Sequence, residues 1–289
     1  NQDSGIRAMS SMTANVLMIG DIVGAPGLRA LFTFLPTLIR KTEADLVVAN
    51  GENAMKGFGI SADEISAMRS YGVDIITSGN HVWERKEAVV LLESESQLLR
   101  PANYPKGLPG CGVAYVGGRN HAGYPAIVRA NGAAPRFEWL VMNLQGRRSM
   151  YDIDCPFAKA DQLLAAAARD HPNAIIVLDF HAESSEEKEA LAWYLDGRIS
   201  VFAGTHTHVP TADERVLPKG TGYLTDLGMT GPIDSVIGMN GDICIRRFLT
   251  QIPYKMETAE GSSALMGALF RIEAESHRCV GIERIFQSL

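Results

Sequence analysis

Cysteine is scarce and scattered in this chain. Cys111, Cys155, Cys244 and Cys279 are far apart and form no CxxC pair. That excludes a zinc ribbon and a disulfide framework, and the expectation is a cytoplasmic protein in a reducing compartment. Long apolar runs are missing too: none approaches the roughly 20 residues that a membrane helix needs. Asn1 to Ser11 is polar and has no hydrophobic stretch of the kind a signal peptide carries. This leader, residues 1–11, reads as appended or disordered, and residues 12–289 read as a single domain. An excess of positive charge is also lacking, with 27 Lys and Arg against 33 Asp and Glu and a net charge of −6. A domain built to grip a long phosphate backbone is usually basic, so long nucleic acid is not the expected partner. A small anionic substrate stays open, because a bound cation can reverse the local charge.

What is present is a core-forming chain, 46% hydrophobic over 289 residues, with a strand–loop–helix rhythm. Asn15–Ile19, Leu46–Ala49 and Val73–Thr77 are short apolar runs that read as buried strands. Helices are expected over Leu28–Arg40, kinked at Pro36, after Ser61 with Glu64 completing a capping box, and over Glu84–Leu92. The stretch Tyr104–Asn143 is rich in Gly and Pro. Its runs Gly112–Val116, Ala126–Ala130 and Phe137–Asn143 suggest antiparallel strands opening a second sheet. Pro156–Arg169 reads as a helix and Ala174–Leu178 as a strand. A helix capped by Ser184 or Ser185 then runs to about Leu195, and Ile199–Ala203 is another strand. A long loop with one short strand spans Pro218–Pro232, and Ser235–Leu249 reads as mostly helical. Ser262–Ile272 and Val280–Phe286 alternate like edge strands. The rhythm implies βαβ units around parallel strands, and such sheets bind ligands beyond the carboxyl ends of their strands.

Those carboxyl ends carry the chemistry. They deliver Asp21, then Glu52 and Asn53, then Asn80 and His81, then His181, and finally His206 and His208. One polar residue after a strand is usually an Asx turn or a helix cap. A succession that includes Glu and His, both poor caps, points to a site. Two histidines one residue apart on an extended segment face opposite ways, but on a loop past a strand end both can turn to one centre. A mixed carboxylate, amide and imidazole set without thiolate suits manganese, iron or zinc. Eight candidates exceed one tetrahedral zinc and match two ions roughly 3.5–4 Å apart sharing a carboxylate, with Glu52 as the bridge. Such a pair would activate a shared hydroxide against a phosphoryl group, and an uncommitted His would protonate the leaving oxygen.

The blocks Gly79-Asn80-His81, an isolated His181 after a strand, and Gly204-Thr-His206-Thr-His208 resemble the last three blocks of the calcineurin-like metallophosphoesterases. The first two blocks depart from that pattern. Asp21 is followed by Ile22 and Val23 rather than x-His, and Glu52-Asn53 stands where Gly-Asp is usual. These departures, with Gly20-Asp-Ile-Val-Gly24, Asn50-Gly-Glu-Asn-Ala54, Ser78-Gly-Asn-His-Val-Trp83, Asp179-Phe-His-Ala-Glu183 and Asp226-Leu-Gly-Met229, resemble the YmdB-like bacterial phosphodiesterases across nearly the whole chain. The resemblance implies an α/β fold, a four-layer αββα sandwich. It implies two metal ions, iron or manganese first and zinc second. It also implies hydrolysis of phosphodiesters, with 2′,3′-cyclic nucleotides ahead of 3′,5′-cyclic ones. By position, Asp21 and His208 would hold one ion with Asn53 supplementing it, and Asn80, His181 and His206 the other. Glu52 would bridge them and His81 would be the catalytic acid.

Competing readings are a phosphomonoesterase or nuclease on the same scaffold, and a metal-stabilised regulatory protein with little turnover; a homo-oligomer is compatible with all of them. Gly20-Asp-Ile-Val-Gly-Ala-Pro-Gly27 lacks the Lys-Ser/Thr of a phosphate loop. His121 and His171 read as structural or exposed. Asp179 and Glu183 read equally as partners of the ligand histidines or as charges at a helix start. Arg147 and Arg148 are a solvated pair unless they meet substrate phosphate. The loop Asp226–Gly231 is expected over the site, with no role assigned.

Overall fold

The computed structural model describes residues 12–117 and 129–289. The leader, His121 and most of the expected strand Ala126–Ala130 lie outside them. The strands are β1 (Thr13–Ile19), β2 (Asp21–Ile22), β3 (Leu46–Asn50), β4 (Ile75–Thr77), β5 (Val113–Val116), β6 (Trp139–Gln145), β7 (Ile175–His181), β8 (Val201–Thr205), β9 (Arg215–Val216), β10 (Gly222–Leu224), β11 (Met229–Pro232), β12 (Ser263–Glu273) and β13 (Cys279–Ser288). The helices are α1 (Gly24–Thr42), α2 (Ala62–Tyr71), α3 (Ala88–Ser94), α4 (Pro156–Asp170), α5 (Ser185–Leu195) and α6 (Gly241–Thr250).

Two mixed sheets result. In the first, β1, β3 and β4 run parallel, and β12 pairs antiparallel with β1. β12 in turn pairs with β13 and with β11, and β11 carries β2. In the second, β6, β7, β8 and β10 run parallel, flanked by antiparallel β5 and β9. The sheets pack face to face through Val16, Met18, Val48 and Phe270 of one and Trp139, Val141, Val177 and Val201 of the other. Each such side chain contributes on the order of 1.5–3 kcal/mol when fully buried. Period-2 alternation explains the other faces. Leu17, Ile19, Val47 and Ala49 point outward onto α1 and α2, and Leu140, Met142, Leu178 and Phe180 onto α4 and α5. The order is therefore helix, sheet, sheet, helix, the expected four-layer sandwich.

Several boundaries differ from expectation. Helix α1 starts at Gly24, before the turn-like Pro26 and Gly27, and continues through Pro36. Pro26 sits in the first turn, where its missing N–H costs nothing. Phe32, four residues before Pro36, is exposed, so the carbonyl that Pro36 cannot satisfy lies on the solvent side. Helix α3 begins only at Ala88, because His81–Glu87 is a run of turns. The long loop holds two strands, β10 and β11, rather than one. The helix expected over Ser235–Leu249 is α6, starting at Gly241 behind the cap Asn240. Strand β12 is not an edge: it pairs on both sides and its first eight residues are buried. The capping box Ser61–Glu64 is formed as expected. No described helix is long and apolar enough to cross a membrane.

Candidate metal centre

Asp21 follows β1 and Glu52 and Asn53 follow β3; Asn80 and His81 follow β4. His181 ends β7, and His206 and His208 follow β8. Both sheets thus deliver polar residues to one rim of the sandwich. Glu52, His181 and His206 place one ligand atom each within 4.8 Å of one another. His181 Nε2 lies 2.9 Å from Glu52 Oε1, 3.1 Å from Asn80 Oδ1 and 3.0 Å from His206 Nδ1. Beside this group, His208 Nε2 is 3.8 Å from Asp21 Oδ1 and 3.2 Å from the Asn53 amide nitrogen. All seven residues expected as metal ligands are brought together.

His81 joins the rim differently. Its backbone N–H donates to Glu52 Oε2 at 2.9 Å, and its ring Nδ1 lies 3.1 Å from Glu84 Oε1. Phe58 packs edge-on against the ring at 5.2 Å.

The three clustered imidazoles share one arrangement. In each, one nitrogen rests on an oxygen outside the cluster and the other faces inward. His181 Nδ1 is 2.9 Å from Thr205 Oγ1, whose hydroxyl donates to Asp179 Oδ1 at 2.7 Å. His206 Nε2 is 3.2 Å from Glu183 Oε2, and His208 Nδ1 is 2.8 Å from the Ile237 carbonyl. An outer oxygen acceptor fixes the tautomer and presents the inner lone pair, as in metal-ligating histidines. Asp179, through Thr205, and Glu183 thus back the clustered histidines, beyond any effect at a helix start. Thr77 donates to Asp179 as well, and burial pushes that carboxyl up to about 6.

The two carboxylates follow a parallel rule. Asp21 Oδ2 accepts the His206 amide at 3.1 Å, and Glu52 Oε2 accepts the His81 amide. The other oxygens are buried: Asp21 Oδ1 has no hydrogen bond among the described residues, and Glu52 Oε1 meets only the His181 ring, 2.9 Å away. A buried carboxylate oxygen without a donor is costly unless a cation meets it. Burial and the neighbouring His181 push His206 down to about 3, leaving it neutral. Burial opposes charge on Glu52 and His181, yet their mutual attraction outweighs it, holding the carboxyl below and the imidazole above the usual range. Two buried carboxylate oxygens and three inward imidazole nitrogens form a donor set that fits metal ions of borderline to hard character.

Local backbone makes the turn. His206 and His208 have φ of 102° and 65°, a left-handed region that non-glycine residues avoid. This lets both rings leave the extended strand on the same side. Gly79 allows the close approach of the sheets, since a Cβ there would lie 2.0 Å from the His181 ring.

Some participants were not singled out from sequence. Asn50 accepts the Glu52 amide at 3.2 Å and approaches His181 Nδ1 at 3.3 Å. Thr205, Thr77 and Lys188 lie behind the cluster. Only Asn50 and Thr205 gave a signal, by sitting inside the strand-end motifs. The loop Asp226–Gly231 does not cover the site. Asp226 is buried behind the histidine turn and Met229–Pro232 is a strand of the first sheet. Arg147 and Arg148 lie at the surface, where Arg148 pairs with Glu186. His171 is structural, buried and stacked on Tyr115 at 4.2 Å.

A four-layer α/β sandwich with carboxylate, amide and imidazole groups converging at strand ends defines a protein of the metallophosphoesterase type. The chain belongs to the YmdB-like family, whose model matches residues 17–285. It is 44% identical to the 2′,3′-cyclic-nucleotide 2′-phosphodiesterase of Bacillus subtilis (strain 168), over 93% of this chain and 96% of that one. The crystal structure of a hypothetical protein from Thermus thermophilus is similar, with a TM-score of 0.82 and 40% identity, covering 95% of this chain and 99% of that one. A novel phosphatase from Mycoplasma pneumoniae superposes with a TM-score of 0.85 at 29% identity, covering 96% and 94%.

Proposed function

We propose that this chain is a dinuclear metal-dependent phosphodiesterase of the cytoplasm that hydrolyses cyclic nucleotides, 2′,3′-cyclic forms first. The observation that carries the reading is a pair of buried carboxylate oxygens, Asp21 Oδ1 with no hydrogen bond and Glu52 Oε1 met only by His181, facing three imidazoles backed by outer oxygens. The activity named for the Bacillus subtilis relative supports the substrate class.

Asp21, Asn53 and His208 would hold one ion, Asn80, His181 and His206 the other, with Glu52 between them. Two ions there would supply Lewis acidity toward phosphoryl oxygens and a nucleophile at neutral pH. As placed, the Asn53 amide turns its nitrogen toward His208, so ligation requires a half-turn that presents its oxygen. The protein's part is to hold the ligands rigid: Asp179 through Thr205, Glu183 and the Ile237 carbonyl each fix one ring. His81 would give its proton to the leaving oxygen from Nε2, because Glu84 engages Nδ1. The hydrogen bond that the His81 backbone N–H donates to Glu52 sets the distance between this acid and the cluster.

The test is hydrolysis of bis-p-nitrophenyl phosphate before chelation, after it, and with manganese restored. Activity that disappears and returns is expected, and should extend to 2′,3′-cyclic nucleotides. No turnover by protein shown to be metal-loaded would overturn the proposal and favour a structural or regulatory metal.

A further inference from the structure

A cavity of about 310 Å3 opens beside the cluster, lined by Asn80, His206, Ser149, Met150 and Tyr151. Two of these are in the ligand set, and the other three come from the segment that joins β6 to α4. That segment is built as a fixed loop. Buried Asn103 clamps both of its ends, donating to the Gln145 and Asp154 carbonyls at 2.8 and 2.9 Å and accepting the Gln145 amide at 2.9 Å. The Glu187 carboxylate accepts the Arg147 and Arg148 amides, each at 3.1 Å. Ser149 takes a left-handed φ of 61°, and the Met150 amide closes a turn onto the Arg147 carbonyl.

Apolar anchors flank the tip. Met150 packs against the core under α4 and α5, and Ile153 against the core of the first sheet. Tyr151 lies between them and is 63% exposed. An aromatic ring left in water on a segment tied down on both sides, at the mouth of a cavity, is a surface prepared for a flat partner. Among the described residues, the lining of that cavity holds no Lys, Arg, Asp or Glu, so a second phosphate finds no counter-charge there. A neutral, planar group does find a face to stack on.

We infer that Tyr151, on the clamped Ser149–Tyr151 tip, is a specificity-determining platform for the nucleobase of a substrate whose phosphate lies at the metal centre. The inference rests on the phosphodiesterase reading for its substrate and adds the element that would distinguish a nucleotide from other cyclic phosphates. Base–aromatic stacking tolerates any base, so the platform would select for the presence of a base and not for its identity.

The test compares Tyr151→Ala and Tyr151→Phe with the wild type on 2′,3′-cyclic AMP and on the 2,3-cyclic phosphate of methyl riboside, which has no base. Tyr151→Ala should raise KM for the nucleotide about tenfold with kcat little changed, as loss of one stacking contact predicts. The base-free substrate should be unaffected, and Phe should restore the nucleotide KM. Equal effects on both substrates, no effect on either, or failure of Phe to restore would overturn the platform. Calorimetric binding of adenosine 3′-monophosphate and of inorganic phosphate to manganese-loaded protein reads the same contact without turnover. Tyr151→Ala should weaken only the nucleotide. If the wild type hydrolyses neither cyclic phosphate, the phosphodiesterase reading fails, and the calorimetry still decides the platform.

Discussion

The Lys188 ammonium lies 2.8 Å from Asp226 Oδ2, and both side chains are fully buried. The same oxygen accepts the Thr207 amide at 3.2 Å and the Thr207 hydroxyl at 2.8 Å. Thr207 separates His206 from His208, so this ion pair lies directly behind the histidine turn. Asp226 Oδ1 also takes the Gly228 amide at 2.9 Å. Removing one partner leaves a buried charge, which costs about 3–5 kcal/mol. Lys188→Met and Asp226→Leu should each lower unfolding stability by that order in urea titrations. The double variant should recover part of the loss. Because Asp226 and not Lys188 holds Thr207, both variants lacking Asp226 should bind manganese more weakly than Lys188→Met alone; equal metal affinity would show that Asp226 has no positioning role.

His81 and Glu52 should separate chemistry from assembly. His81→Ala removes the proposed acid but keeps the backbone N–H that Glu52 accepts. Metal content should stay at wild-type level while turnover falls by roughly 10²–10⁴-fold. Glu52→Ala removes the proposed bridging carboxylate and should lose metal. Full hydrolysis by the His81 variant would refute the acid assignment.

Metal uptake should release protons. Without metal, the Glu52–His181 attraction keeps the carboxyl ionised and the imidazole protonated at neutral pH. A cation entering between them displaces that proton. Falling pH strengthens the proton's hold, so metal affinity should weaken toward acid and level off only above the raised pKa of His181. Adding manganese to chelated protein in weak buffer at neutral pH should acidify the solution by about one proton per His181 site. A pH-independent affinity with no acidification would contradict this account.

Gly79 gives a steric test. A methyl group there would sit 2.0 Å from His181 Cδ2, a contact the ring relieves only by leaving the cluster. Gly79→Ala should therefore lose metal and activity and destabilise the fold by about 1–3 kcal/mol, the usual cost of overpacking. Gly241→Ala is the control, since nothing lies within 4 Å of its added methyl. The comparison is made by metal analysis and thermal unfolding of both variants.

Much of the candidate site was legible because a buried strand seldom ends in Asp, Glu, Asn or His unless those groups meet a ligand or a charged partner. The strands carrying Asp21, Glu52, Asn80, His181 and His206 are short apolar runs with abrupt polar ends. The layer order was legible through the family resemblance and is borne out by the packing. What was hidden depends on partners distant in sequence. Strand β12 looks like an edge by its alternation, and only its pairing with β1, β11 and β13 makes it interior. Asp226 looked like a loop residue, because its partners Lys188 and Thr207 are 38 and 19 positions away. The start of α1 was obscured by Gly24, Pro26 and Gly27, which read as a turn although Pro is favoured in a first helical turn. In α3 the helical pattern from Glu84 is overridden by turns that place the His81 amide on Glu52.

The left-handed backbone at His206 and His208 gives the site a standing conflict with the stability of its own scaffold. Two non-glycine residues held there store on the order of 1–3 kcal/mol each, kept in place by the network behind Thr207. Selection for heat resistance alone would relax them, with Gly or Asn the favoured replacements. A lineage freed from catalysis should lose these two histidines early, and gain a tougher protein by doing so.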